Sequence, residues 1–402
     1  MEKLVSERLR HRVRVLGALL GQTMTAQLGH DFLEKVEKIR LLAKTRRQEG
    51  SGDFTELREV LSELNEDQLI SVARAFNQFL NLTNIAEQTA ATEDLQFPQN
   101  SNLERAFKKF TDNNIEPSRI AEVVKQLHCD LVLTAHPTEI TRRTLIQKYN
   151  RIAGALEFVR EDEELDQKHK MELERLIAEV WHTDEIRTER PKPQDEAIWG
   201  YAVIEHSFWH AVPKLWEGLD MILEQYTGES LPIEFSPITI SSWMGGDRDG
   251  NPNVTTEVTE EVLRLARWMA ADLYLRDLDE LLSQLSMSQC NEAVSELCEK
   301  SSHEPYRSIL RKVRDRLNAT RDWAETKYPP KDGIILKKED LFSPLDTCYR
   351  SLHECGMGII ADGLLKQTLI RISTFGVTLI DLDIRQSAEK HTDLMEKLIF
   401  FL

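Results

Sequence analysis

A chain of 402 residues with 41% hydrophobic and 30% charged positions holds enough apolar material for roughly two to three domains, or for one large α/β barrel. Its formal net charge of -17 argues against nucleic acid as the main partner, since phosphate backbones need a basic face. The same field repels anionic substrates, so any such ligand requires arginines that converge locally.

Five widely spaced cysteines, Cys129, Cys290, Cys298, Cys348 and Cys355, form no CxxC pair. They read as free thiols of a reducing cytoplasm rather than as a disulfide frame or a zinc site. The opening MEKLVSERLRHRVRVLG is charged and has no signal-peptide core. No apolar run is long enough to span a membrane, and the expected location is cytoplasmic.

Residues 1–125 read as an amino-terminal helical region. Leu4, Leu9, Val13, Leu16 and Leu20 mark one apolar face, and Phe32, Val36, Ile39 and Leu42 mark another. A third face runs through Leu69, Val72, Ala73, Phe76, Phe79 and Leu80. Packing explains these residues without any chemistry.

The pattern changes near residue 130. Leu131-Val132-Leu133 is a short β-like run that ends in Thr134-Ala135-His136-Pro137-Thr138-Glu139. Helical segments then continue to about 226. A second run, Ile238 to Trp243, ends in Met244-Gly245-Gly246-Asp247-Arg248-Asp249-Gly250-Asn251-Pro252. A long helical block follows, and a third run, Val377 to Ile384, ends in Arg385-Gln386. Three short strands alternating with long helices favour right-handed crossovers and a parallel sheet. The expected class is mostly α with an incomplete parallel, TIM-like α/β barrel, and residues 126–402 form its first part with long helical insertions.

Each strand gives way at its carboxyl end to ionisable residues, where α/β barrels collect their chemistry. His136 can exchange a proton near neutral pH, or it can simply be hydrogen-bonded in a loop. Arg142 and Arg143 follow it and can add positive charge to the same mouth, or lie on the surface. The paired glycines before Asp247, Arg248 and Asp249 allow close backbone approach and suit a ligand-facing loop. A tight turn is the plainer reading. A calcium loop fails on register, because Val258 and Glu260 do not place the closing acid correctly. Arg385 can grip a phosphate through its fork or pair internally with Asp381 or Asp383. The cluster 181–187, WHTDEIR, reads as a packed, hydrogen-bonded helix corner. A Walker loop, GxGxxG, HExxH and GxSxG are all absent from the sequence.

Together, VLTAHPTE at 132–139, WHTDEIR at 181–187, SWMGGDRDGNPNVT at 242–255 and LDIRQ at 382–386 resemble phosphoenolpyruvate carboxylase of the bacterial type, in the same order. The resemblance covers nearly the whole chain and corresponds to the amino-terminal part of that family. It implies a mostly helical α/β barrel enzyme, a homotetramer when full length, that joins phosphoenolpyruvate and bicarbonate into oxaloacetate and phosphate with Mg²⁺ or Mn²⁺. It implies His136 as the catalytic histidine and Arg385 as a contact of the substrate phosphate. Within the 245–252 loop Arg248 is the expected substrate contact, and Thr138, Arg142, Asp247 and Asp249 are expected active-site neighbours. The family's metal carboxylates, catalytic lysine, glycine- and arginine-rich phosphate loop and inhibitor site belong to a carboxyl-terminal half that this sequence does not contain. No metal ligand is therefore expected here, and this stretch alone is expected not to turn over. The unfinished strand edge near Ile384 is expected to favour association or poor solubility. Two other readings stay open: a non-catalytic helical scaffold, and a phosphotransfer enzyme carrying phosphate on His136 itself.

Overall fold

The computed structural model describes residues 2–49, 54–93, 102–134, 143–160, 165–183, 192–249, 251–298, 302–326 and 333–401. In chain order the elements are α1 (Glu2–Leu28), α2 (His30–Glu49), α3 (Thr55–Ser62), α4 (Glu66–Glu93), α5 (Asn102–Asp112), α6 (Pro117–Val124), β1 (Cys129–Leu133), α7 (Arg143–Leu156), α8 (Gln167–Trp181), α9 (Pro193–Val203) and a π-helical turn (Ile204–Phe208) that runs into α10 (Trp209–Thr227). There follow β2 (Ile238–Ser242), α11 (Thr256–Gln284), α12 (Glu292–Leu297), α13 (Pro305–Thr326), α14 (Lys338–Glu354), α15 (Gly358–Ala361), α16 (Leu364–Phe375), β3 (Asp381–Leu382) and α17 (Ala388–Phe401). The fold is mostly α with one small parallel sheet.

Contacts divide the chain into two compact units, 1–96 with 141–188, and 97–140 with 189–402. The change of sequence pattern near residue 125 follows the appearance of strands. The packed units follow side-chain burial, which returns 141–188 to the first unit.

The first unit joins α1–α4 with α7 and α8 around Leu16, Leu20, Phe32, Val36, Val72, Leu82, Ile152, Leu173 and Trp181. Leu16 and Leu20 continue the face begun by Leu9 and Val13, which pack half-buried against the same cluster. Asp166 caps α8 by accepting from the amides of Lys168 and His169, satisfying donors that the first helical turn cannot. The Trp181 indole N–H donates to Gln27 Oε1. The corner expected at 181–187 is thus packed at Trp181, while 184–187 lie outside the described residues.

The second unit holds the sheet and a larger core. Its strand order is β1-β2-β3, all parallel. Cys129 pairs with Ile238, Leu133 with Ser242, and Ser241 with Asp381. Alternation sends Leu131, Leu133, Ile240 and Leu382 into the helical core and leaves a polar face. On that face Asp130 accepts from the Ser241 hydroxyl at 3.0 Å and from Thr239 at 3.2 Å. The third strand is shorter than the expected run. Leu379 adopts a positive φ of 65° and the Ile380 amide turns back to the Thr378 carbonyl, so pairing begins only at Asp381.

The same unit holds a buried ion pair. Arg371 Nη1 donates to Asp277 Oδ2 at 2.8 Å, and its Nε donates to the Trp209 carbonyl, also at 2.8 Å. Pro213 stands inside α10, one turn after Trp209. Lacking an N–H, it cannot claim that carbonyl, and the guanidinium takes it instead. The Arg371 group also sits 5.3 Å from the Trp209 ring.

Candidate functional site

The carboxyl ends of β2 and β3 are tied together by their loops. After Ser242 the chain leaves the sheet in a turn, with the amides of Gly246 and Asp247 both donating to the Trp243 carbonyl at 2.9 Å. The turn returns to the β3 side. Arg385 N–H donates to the Gly246 carbonyl at 3.0 Å, and Arg248 N–H donates to the Arg385 carbonyl at 3.1 Å. Asp247 and Arg385 form a parallel bridge. The 245–249 turn and Arg385, distant in sequence, are direct neighbours.

Both glycines are required by geometry. Gly245 has φ +82°, and a Cβ there would lie 2.6 Å from Val262 Cγ2. A Cβ on Gly246 would lie 2.2 Å from the Asp383 carbonyl oxygen, which no side chain tolerates. Thr259 on α11 steadies the turn by donating to the Gly245 carbonyl at 2.8 Å.

The charged residues of the loop divide their roles. Asp247 Oδ1 accepts from the Asp249 amide at 3.1 Å, which is the tight-turn reading. Arg248 donates through Nη2 to Thr259 Oγ1 at 3.0 Å, so part of its fork is committed to the first turn of α11. Its Nε is buried with no hydrogen-bond partner.

Arg385 is different. It is exposed, and among the described residues its guanidinium makes no hydrogen bond and no ion pair. Neither Asp381 nor Asp383 takes it. Asp383 Oδ2 instead accepts from the Trp243 indole N–H at 3.0 Å. The Arg385 guanidinium carbon lies 3.8 Å from the Trp243 ring centroid, within cation–π range. A cation stacked on an aromatic face with its donors free is poised for an anion.

β1 delivers its own carboxyl end to the same edge. Leu133 is in register with Ser242, and its carbonyl accepts from the Trp243 amide at 3.3 Å. His136, Thr138 and Arg142, expected just beyond, lie outside the described residues, as does the Gly250 position of the loop. Of the expected constellation, the structure brings together Asp247, Arg248, Asp249 and Arg385. Trp243, which closes the second run and lies in the 242–255 motif, is given no role by the sequence. Its only signal was an aromatic residue at the mouth of a strand.

The model of one family, phosphoenolpyruvate carboxylase, matches residues 9–402. The chain belongs to the phosphoenolpyruvate carboxylase family. A phosphoenolpyruvate carboxylase of Hahella chejuensis is 48% identical over 418 residues, covering 100% of this chain and 47% of the relative. That of Ectopseudomonas mendocina is 47% identical over 410 residues, 99% of this chain and 47% of the relative. That of Pseudomonas putida is 48% identical over 411 residues, 99% of this chain and 46% of the relative. The chain thus spans about half the length of the curated relatives it matches. Among the described residues, no group of three or more His, Cys, Asp or Glu side chains could hold a metal ion. No helix of those residues is long and apolar enough to cross a membrane.

Proposed function

We propose that this chain supplies the first part of a phosphoenolpyruvate carboxylase active site, with Arg385 gripping the substrate phosphate. The observation that carries the reading is the free, stacked Arg385 guanidinium, fixed by main-chain bonds to the Gly245–Asp249 turn at the carboxyl ends of parallel strands. In a chain of net charge -17, such a local cation is what an anionic substrate needs.

The reaction joins phosphoenolpyruvate to bicarbonate. A bicarbonate oxygen takes the phosphoryl group, giving carboxyphosphate and the enolate of pyruvate. His136 accepts the carboxyphosphate proton. The carboxyphosphate C–O bond then breaks to CO₂ and phosphate, and the proton ends on phosphate. The enolate carbon bonds to CO₂, forming oxaloacetate. Proton transfer of this kind contributes about 10²–10⁴-fold in rate. Arg385 holds the phosphoryl group throughout, with Arg248 completing the phosphate side. Thr138, Arg142, Asp247 and Asp249 line the surroundings. Mg²⁺ or Mn²⁺ is assigned to carboxylates of the carboxyl-terminal half found in the relatives, and no step here is derived through it. The complete enzyme is a cytoplasmic homotetramer in this reading, and the 402-residue chain by itself does not turn over.

The test is complementation. The chain is co-expressed with the carboxyl-terminal part of the Pseudomonas putida relative, and oxaloacetate is followed with Mg²⁺ and bicarbonate. Turnover by the pair, none by the chain alone, and loss on His136→Ala are expected. Turnover by the isolated chain would overturn the claim of dependence. An inactive pair whose chain also ignores phosphoenolpyruvate in calorimetric titration would leave the scaffold reading in its place.

A further inference from the structure

We infer that Trp243 is a positioning residue that acts through Arg385 in two ways at once. Its indole face carries the guanidinium at 3.8 Å, and its indole N–H donates at 3.0 Å to Oδ2 of Asp383, a carboxylate two residues before Arg385. The inference rests on the reading of Arg385 as the phosphate contact.

The chemistry follows from the alternatives open to Arg385. An exposed arginine samples many rotamers, and ordering it on binding costs affinity. Asp383 lies two residues earlier, on the same side of an extended segment. A free Asp383 carboxylate would draw the fork into an internal ion pair, and an incoming phosphate would have to break it. Trp243 competes with that route by holding Asp383 Oδ2 in a hydrogen bond. Its ring, held by the same bond, then gives the cation a flat seat that leaves the N–H edges unblocked. The two loops are already welded by the Gly246 and Arg248 main-chain bonds, so the seat and the cation keep their relative places.

This arrangement separates into two measurable parts. Trp243→Phe keeps a ring and loses the N–H. Trp243→Leu loses both. Phosphoenolpyruvate titrated calorimetrically into the 402-residue chain is expected to bind about 3- to 30-fold more weakly to Trp243→Leu, with Trp243→Phe between. Adding Asp383→Asn to Trp243→Phe removes the competing charge and is expected to recover part of the loss. In an Arg385→Ala background, Trp243→Leu is expected to have no further effect. Full additivity of those two substitutions, or no recovery with Asp383→Asn, overturns the inference.

A ligand-free measurement keeps the question separate from the substrate reading. The Arg385 Nε–H proton should resonate upfield from ring current in the parent and move back in Trp243→Leu. Its absence in the folded parent overturns the positioning role. Failure of the parent to bind phosphoenolpyruvate together with an inactive complemented pair, with that upfield signal present, overturns the substrate reading and leaves Trp243's hold on Arg385 supported.

Discussion

Gly246 presents a bare Cα to the Asp383 carbonyl, so close that a methyl group there would come within 2.2 Å of the oxygen. The contact welds the loop after β2 to the strand that carries Arg385. Gly246→Ala is therefore expected to push the two segments apart, costing about 1–3 kcal/mol as overpacking does. It should also weaken phosphoenolpyruvate binding, because Arg385 N–H bonds to the carbonyl of this same glycine. Urea unfolding followed by tryptophan fluorescence gives the first, and calorimetric titration the second. Unchanged values in both would mean that the two loops move freely.

Arg385→Ala tests the anion site itself. Hydrogen bonds to charged groups contribute about 1.5–3 kcal/mol, so phosphoenolpyruvate affinity should fall roughly 10- to 100-fold. The thermal midpoint should stay near the parent value, because the exposed guanidinium has no hydrogen-bond or ion-pair partner among the described residues to lose. Arg385→Lys should recover only part, since a point charge cannot match the fork. A large fall in stability with unchanged affinity would assign Arg385 to the fold instead.

Much of this architecture could be read from the sequence. β1 and β2 stood out as short apolar runs between helical blocks, and their carboxyl ends were marked by abrupt turns to charge. The Gly245-Gly246 pair announced a close approach, which proved to be to Asp383 and Val262. Local pattern failed where tertiary contacts decide. The run from Val377 reads as a full strand, yet a left-handed Leu379 confines pairing to Asp381–Leu382. Nothing local distinguishes Arg385 seated on Trp243 from Arg385 paired with Asp383, because the choice depends on a residue that follows another strand. The division into 1–96 with 141–188 and 97–140 with 189–402 likewise rests on tertiary packing, since amphipathic helices do not name their partners.

Burial raises the pKa of Asp277, while Arg371 opposes the shift by charge and hydrogen bond. Removing the cation leaves a buried carboxylate unpaired, so Arg371→Met should destabilise the second unit by about 3–5 kcal/mol. Asp277 should then titrate still higher, and the loss should shrink at low pH where it is protonated. Denaturant unfolding at two pH values checks both statements. Equal losses at both would show that packing, not charge, dominates.

Burial pushes the Cys348 thiol up to about 12 from an ordinary 9.0. Between those values the folded chain keeps a proton that the unfolded chain has released. Stability from this group is therefore constant below about pH 9 and falls as pH rises above it. Cys348→Ala should flatten the alkaline decline in denaturant midpoint. Exposed Cys129 should react with a maleimide at pH 8 while Cys348 does not. Rapid labelling of Cys348 in the native chain would contradict its burial.

Pro213 carries a lesson for anyone engineering this chain. Helix-propensity scoring marks an internal proline as a flaw and recommends alanine. Here the imino acid works as a reserved parking space: by declining one intrahelical bond, it keeps the Trp209 oxygen open for a guanidinium arriving from α16. An alanine at 213 would bring a rival amide to that oxygen, unseat Arg371 and strand Asp277. The apparent repair should lower the melting temperature.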